Sequence, residues 1–479
     1  MKIRPILATA ILPALATAVL LTLSGCVMGP DFHAPAAQLP ATWAPQALRG
    51  QVTEQEISTQ WWDRFDDPLL SQLIDKARTS NLDLKMAVER LDQSRAAFQH
   101  IAADRLPTLD GAADYRRARN SEKGLADNSG LDGKKNFSLW SAGLGSTWEL
   151  DVWGRVRRAI EAADAGVTVA EADRRSVYVA LMAETASNYI KLRGIQALLA
   201  VTRQNLATAD RTTTLTRIRF EQGVATDLDV SQAAALKASI KARLSSLAQQ
   251  ELETLNALSL LVAEPPEALA STLKQPRPVP RVRGGIGVGL PSELAQRRPD
   301  VWQAEAELHA ATADIGVATA SFYPSITLSG SLGFQARQLS DLGSWGSRQF
   351  AIGPALDIPI FEGGRLKAML RLSEARQREK ALAYRKVVLT AWHEVDDALS
   401  GLANERVRQG DLQEAVAESQ KAFASANAQY KQGAVDYINV LSVQDKLLSN
   451  ESALTNSEVA VSLAAVKLYQ ALGGGWRES

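Results

Sequence analysis

"RFEQGVATDLDV", Arg219 to Val230, and "QYKQGAVDYINV", Gln429 to Val440, state one pattern twice. Each reads aromatic, any residue, Gln, Gly, then small and acidic residues, then an apolar run. Gly433 minus Gly223 is 210. The correspondence extends in both directions. "RLPTL" (Arg105 to Leu109) matches "FYPSI" (Phe322 to Ile326), and Pro324 minus Pro107 is 217. "VWGR" (Val152 to Arg155) matches "EGGR" (Glu362 to Arg365), again 210 apart. "NLDLKMAVERL" (Asn81 to Leu91) stands 217 before "RPDVWQAEAEL" (Arg298 to Leu308). Within each copy the order is helix, Pro, alternating segment, Gly-Arg, long helix, Gly turn, helix. Matching punctuation in a matching order marks an internal duplication, which convergent helical low complexity does not produce.

The copies are predicted over 61–273 and 292–479, joined by a linker at 274–291. In the first copy, strands are expected at about 107–119 and 137–151, a long helix at about 155–221 and another at about 227–263. In the second, strands are expected at about 324–337 and 348–360, with helices at about 365–430 and 436–472. No proline lies between Pro107 and Pro265 or after Pro359, so nothing of that kind interrupts the helices. The first long helix extends on the order of 100 Å at 1.5 Å per residue. Val388, Trp392, Val395, Leu399 and Leu402 step four, three, four, three; Val440, Leu447, Leu454, Val461 and Leu468 step by sevens. Both are coiled-coil seams. The linker's Gly285, Gly287 and Gly289 lack the spacing and the strand-turn-helix setting of a phosphate loop.

The strand segments alternate. Ile326, Leu328, Leu332 and Phe334 fall on one side, Thr327, Ser329, Ser331 and Gln335 on the other. Trp140, Ala142, Leu144, Trp148 and Leu150 alternate with Ser141, Gly143, Gly145, Thr147 and Glu149. Period two means strand. A strand of roughly ten residues suits a tilted membrane crossing, and apolar-out, polar-in is the pattern of a wet-lumen barrel. An ordinary half-buried sheet shows the same alternation. Phe137, Trp140, Trp148 and Phe350 suit a membrane interface. Four membrane strands cannot close, because lipid leaves open edges unpaired at several kcal/mol each. The strands must therefore pair with copies of the same chain.

The 479 residues carry 53 basic and 53 acidic side chains, a balance that argues against a nucleic-acid partner. Cys26 is the one cysteine, which excludes an internal disulfide or a cysteine zinc site. The four histidines, His33, His100, His309 and His393, have no metal-ligand spacing. No nucleophile elbow, metal cluster or phosphate loop marks an enzyme. Lys2 and Arg4, an apolar run from Ile6 to Leu23 and then Leu23-Ser24-Gly25-Cys26 make residues 1–25 a secretory signal peptide, with a membrane-spanning helix as the alternative. The stretch resembles a bacterial lipobox, which implies cleavage before Cys26 and lipidation of that cysteine. Val27, in place of Asp, points to the outer membrane. Pro30, Pro35, Pro40 and Pro45 make 26–60 an extended tether.

The duplicated strand–helix unit resembles the outer-membrane factor family, the TolC-like channels, in its lipoprotein branch. The resemblance rests on "QWWDRFDDPLLSQLIDKARTSNLDL" (Gln60 to Leu84), "LPSELAQRRPDV" (Leu290 to Val301), "FYPSITLSGSLGF" (Phe322 to Phe334) and "FEGGRLKA" (Phe361 to Ala368), in that order along the chain. It implies a mostly α fold with membrane β. Three chains of four strands would give a twelve-stranded outer-membrane barrel continuous with a twelve-helix periplasmic barrel. It further implies an exit duct for efflux, docked to a periplasmic adaptor and an inner-membrane transporter of the RND type, with no cofactor beyond lipid on Cys26.

Under this resemblance the echoed segments are the hairpin turns at the periplasmic tip, where Gly223 and Gly433 allow a tight reversal and adaptor docking. Asp229 falls where the family places an inward aspartate, and Tyr430 where a tyrosine ties the closed tip. Tyr437, Ile438, Asn439 and Ser442 complete the expected gate. Ser442 stands where many relatives have Asp, Asn439 is neutral, and Val435 replaces an arginine. Asp227 reads as a cap for the following helix, and for Asp229 capping and gating stand equal. Asp67-Pro68 reads as N-cap and first helical position, and Trp61, Trp62 and Phe65 as collar packing. The rival readings are a type I secretion duct, a periplasmic adaptor and a coiled-coil scaffold lipoprotein without a pore.

Overall fold

The computed structural model describes residues 27–36, 52–53, 58–121, 123, 136–289, 294–474 and 476. Cys26 and the signal peptide lie outside them. The chain divides into two compact units. One comprises Met1–Pro35, Asp92–Val169 and Ala304–Tyr384, and the other Ala36–Leu91, Ala170–Gln303 and Arg385–Ser479.

The first unit holds a four-stranded antiparallel sheet, β1 (Thr108–Ala118), β2 (Phe137–Leu150), β3 (Ser325–Ala336) and β4 (Arg348–Asp357), paired in chain order. Directly opposed residues share a face. Tyr115 pairs with Trp140, Leu144 with Leu332, Leu332 with Phe350, and Trp148 with Leu328. The other face pairs Asp110 with Gly145, Gly145 with Ser331, and Thr147 with Ser329. The alternation read in the sequence thus lines up across all four strands into one apolar and one polar face. The apolar face is bare: Phe350 is 76% and Ile352 77% exposed. Among the described residues β1 pairs only with β2 and β4 only with β3, so both edges of the sheet are open.

The repeats join at β2–β3. There Gly143 opposes Gly333, and a Cβ on Gly143 would lie 2.8 Å from the Leu332 carbonyl oxygen. At the foot of the sheet Trp153 stacks on Tyr323 with ring centroids 4.8 Å apart and donates from Nε1 to the Pro324 carbonyl.

Seven helices matter here: α1 (Pro68–Ser80), α2 (Leu82–Ala102), α3 (Arg155–Glu221), α4 (Asp227–Leu261), α5 (Pro299–Ala320), α6 (Arg365–Lys431) and α7 (Tyr437–Ala471). α3 and α6 each have 67 residues, α4 and α7 each 35. Every boundary of the second pair lies 210 after its counterpart in the first, from Arg155 and Arg365 to Leu261 and Ala471. Over these four helices the duplication therefore holds to the residue.

In the second unit the seam positions Val388, Val395, Leu399, Leu402, Val440, Leu447 and Leu468 are buried and Leu454 is half-buried; Val395, Leu399, Leu402 and Leu468 belong to one core, and Trp392 and Val461 pack against it. Trp61, Trp62 and Phe65, on a short 3₁₀ turn, are part of that core, and Trp61 stacks on Tyr469 at 5.1 Å. Asp67 caps α1 by accepting from the Leu69 amide at 3.0 Å and also accepts the Tyr189 hydroxyl at 2.6 Å. α3 and α7 meet closely at Gly194, where a Cβ would lie 2.3 Å from Val459 Cγ2. Arg175 lies between the rings of Trp302 and Trp476, at 4.3 and 4.4 Å.

Within the linker, Ile286–Gly287 forms a parallel ladder with Val52–Thr53. Part of the expected tether, 27–35, is seated against helices.

Candidate functional site

Both echoed stretches close as Schellman motifs, the turn in which an αL residue lets two amides bond back into the helix. In the first, the Gly223 amide donates to the Phe220 carbonyl at 2.9 Å and the Val224 amide to Arg219 at 2.8 Å. In the second, Gly433 donates to Tyr430 and Ala434 to Gln429, both at 3.0 Å. Gly223 has φ +74° and Gly433 +75°, and a Cβ on either would meet nothing within 4 Å. Glycine is therefore required by the left-handed backbone and not by lack of space.

The helices that follow begin differently. Thr226 caps α4: its Oγ1 accepts from the Asp229 amide at 3.2 Å, while the Asp229 carboxylate accepts from the Thr226 amide at 2.9 Å. This is a complete capping box. The cap is Thr226 and not Asp227, which sits one residue inside the helix, exposed. The threonine three residues before Asp229 was a legible capping-box signal. In the second repeat Asp436 holds the cap position without a side-chain bond, and Asn439 stands where Asp229 stands in the first. Asp229 is half-buried; Ile438, Asn439 and Ser442 are exposed.

Around the second turn lies a small apolar core of Ala233, Tyr430, Tyr437 and Val440, with Val435 and Leu215 packed against it. The rings of Tyr430 and Tyr437 are 5.6 Å apart. Burial pushes the Tyr437 phenol up to about 12, helped by neighbouring Tyr430 and the Asp229 carboxylate. The Tyr430 hydroxyl is buried and has no hydrogen-bond partner among the described residues. What holds Tyr430 instead is Arg219. Its Nη1 donates to the Tyr430 carbonyl at 2.7 Å and its guanidinium lies 4.4 Å over the Tyr430 ring. Arg219 belongs to the first hairpin and Tyr430 to the second, so this contact ties the two turns together. Sequence reading passed over Arg219 because its partner lies 211 residues away. The signal available was the paired position, where the second repeat carries Gln429.

The structure thus brings Asp229, Tyr430 and Tyr437 to one cluster and leaves Ile438, Asn439 and Ser442 on its exposed side. Cys26 lies outside the described residues. No group of His, Cys, Asp and Glu able to hold a metal occurs among the described residues. None of their helices is long and apolar enough to cross a membrane, which says nothing of the sheet.

Comparison with known proteins agrees on one class. The family model for the outer membrane efflux protein matches residues 73–264 and 290–474. The outer membrane protein OprJ of Pseudomonas aeruginosa is 35% identical over 460 residues, covering 96% of this chain and 95% of its own length. The toluene efflux pump outer membrane protein TtgI of Pseudomonas putida is 33% identical over 465 residues, covering 96% and 97%. The structure of the outer-membrane channel OprN superposes with a TM-score of 0.88 at 33% identity, covering 94% of this chain and 100% of that one.

Proposed function

This chain belongs to the outer membrane efflux protein family, and from that premise we propose that three copies of it form a passive exit duct that opens at its hairpin tips when docked to a pump. Its place is the outer membrane of a Gram-negative bacterium, where it serves as the outer-membrane component of an efflux system and shares the TolC-like fold. The observation that carries the proposal is the sheet: four strands, two open edges and a bare apolar face. In lipid that face is satisfied and the edges are not, each unpaired backbone group costing several kcal/mol. β1 runs antiparallel to β4 within one sheet of even strand count, so β4 of one copy can pair with β1 of the next. Three sheets of four strands would then close a ring whose polar face lines the lumen.

At the tips, three copies would bring six hairpins together. Asp229 of each copy supplies a ring of carboxylates that favours cations. Arg219, Tyr430 and Tyr437 hold neighbouring hairpins in the closed arrangement, with Ile438, Asn439 and Ser442 facing the constriction. Gly223 and Gly433 shape the turns that a periplasmic adaptor would grip, with an inner-membrane transporter of the RND type beyond it. A lipid on Cys26 adds a second hold on the membrane, since several acyl chains anchor stably where one does not. Supporting the duct reading over a catalytic one, the family consists of channel proteins.

The test is to extract the full chain in mild detergent, measure its mass, and reconstitute it in planar bilayers. A trimer with small, cation-preferring conductance is expected. A stable monomer without membrane-embedded β-structure would overturn the proposal.

A further inference from the structure

The apolar face of the sheet holds no carboxylate and two charged residues, both arginines. The ladders place Arg117 of β1 in the row of Leu109, Ala113 and Tyr115, and Arg348 of β4 in the row of Phe350, Ile352 and Leu356. The two positions are alike. Each lies on an edge strand, Arg117 next to last in β1 and Arg348 first in β4. Each stands two residues beyond an aromatic, Tyr115 or Phe350. Each lies at the end where β1 turns to β2 and β3 turns to β4, while α2, α3, α5 and α6 adjoin the opposite end. Those helices extend into the periplasm, so the arginines stand toward the cell surface. At the helical end the same face holds Leu109, Leu150, Ile326 and Leu356.

An arginine facing lipid is costly at the middle of a bilayer and nearly free at its interface. Aromatic rings belong to that same level. Tyr115 and Trp140 lie 4.2 Å apart, and the exposed Trp345 ring lies 3.7 Å from the Arg348 guanidinium. The arginines therefore mark the outer-leaflet boundary. Neither has an anion. Arg117 is exposed and makes no hydrogen bond or ion pair among the described residues, where Arg348 donates only to the Trp345 carbonyl. A guanidinium left open at headgroup level suits a phosphate, which it binds through paired N–H groups.

The duplication fixes how the two arginines meet. Thr108 pairs with Thr147 in the first hairpin; Ser325, 217 later, pairs with Asp357, 210 later, in the second. The hairpins share one register, so the β2–β3 junction is the template for β4 against β1 of the next copy. In that junction Ala142 pairs with Phe334. The same offsets carry the pair to Ile352 and to Arg117 of the next copy. Arg348 lies four residues from Ile352, about 13 Å along the strand, with the exposed Phe350 between them. One phosphate cannot reach both cations, whereas two phosphates at opposite ends of a disaccharide can.

We propose that each seam between copies binds a bisphosphorylated, acylated disaccharide, the glycolipid of the outer leaflet. Arg117 of one copy holds one phosphate, Arg348 of its neighbour holds the other, and the acyl chains run down the apolar face. The site rests on the ring of copies proposed above and is incomplete in a single chain.

The test mixes detergent-purified trimers of the full chain with bisphosphoryl lipid A and weighs them by native mass spectrometry. Three lipids per trimer are expected. Arg117→Gln and Arg348→Gln should each weaken binding at least tenfold, monophosphoryl lipid A should bind at least fivefold more weakly, and phosphatidylglycerol should not displace the bound lipid. Equal binding by the glutamine variants, or displacement by phosphatidylglycerol, would overturn the site. Register is judged separately, on the images of the Ser146–Gly330 pair. Ala113→Cys with Leu356→Cys should cross-link copies under mild oxidation, and Ala113→Cys with Pro354→Cys should not. The reverse pattern would move Arg117 along the seam and also overturn the site. A monomeric mass would remove the ring of copies itself; trimers that bind no lipid A would leave the ring standing and remove only this site.

Discussion

Arg219→Leu should loosen the tip by about thirtyfold. The wild-type side chain makes two contacts with Tyr430, a charge-assisted hydrogen bond to its carbonyl at 2.7 Å and a ring contact at 4.4 Å. A hydrogen bond from a charged group contributes about 1.5–3 kcal/mol net when well formed, and a cation over an aromatic ring about 0.5–1 at partly exposed sites. Arg219 is half-buried, so the low end applies and the sum is about 2 kcal/mol per copy. At 1.4 kcal/mol per tenfold, the closed arrangement is disfavoured by a factor of about 30. Single-channel recording in planar bilayers reads this as a higher open fraction. Arg219→Lys should fall between, because lysine keeps the charge and loses the flat face that lies over the ring. If Arg219→Leu shows the same open fraction as the unaltered channel, with its trimer intact, the two turns are held by something other than this contact.

Tyr430→Phe should leave gating and stability within about 0.5 kcal/mol of normal, because the hydroxyl it removes is buried without a partner; Tyr430→Ala should cost about 3–5 kcal/mol of local stability. A large effect of Phe by conductance would show that the hydroxyl ties the tip. Asp229→Ala removes one half of the capping box and should cost α4 about 1 kcal/mol, read as faster amide exchange in its first turn, and should also reduce cation preference. An unchanged reversal potential under a salt gradient would confine Asp229 to capping. Tyr437 holds its proton to about 12, against 10.0 for the free side chain. Stability of the tip is therefore flat below pH 10 and falls as pH rises from 10 toward 12, where the unfolded chain has released a proton that the folded tip retains. Phenolate absorbance during unfolding should show this loss, and Tyr437→Phe should abolish it.

Most of the architecture was legible because it depends on local rules. Positive-φ turns need glycine, so Gly223 and Gly433 announce where α3 and α6 stop. Alternation of Trp148, Leu144 and Leu332 with Thr147, Gly145 and Ser331 announces a two-faced sheet. The seams at 388–402 and 440–468 announce how α6 and α7 pack. What stayed hidden depends on residues far apart in the chain. Arg219 looks like any polar residue near a helix end until Tyr430 is placed under it. Arg158 and Gly316 look like ordinary helical residues until Met28 and Gly29 lie across them. Thr226 lost the capping role to Asp227 in the reading because two good cap formers stand side by side, and only the backbone at Thr226 (φ −95°, ψ 160°) decides between them.

The paired turns are congruent in shape and unequal in chemistry. A chain built with the second turn in both places would reverse direction at the same points, since Gly433 and Gly223 share one geometry. It would nevertheless carry two counterparts of Tyr430 and no guanidinium to seat either, and two acidic caps without a hydroxyl partner. Duplication supplied interchangeable scaffolding, and the halves have since become lock and key to each other, so neither can be substituted for its twin.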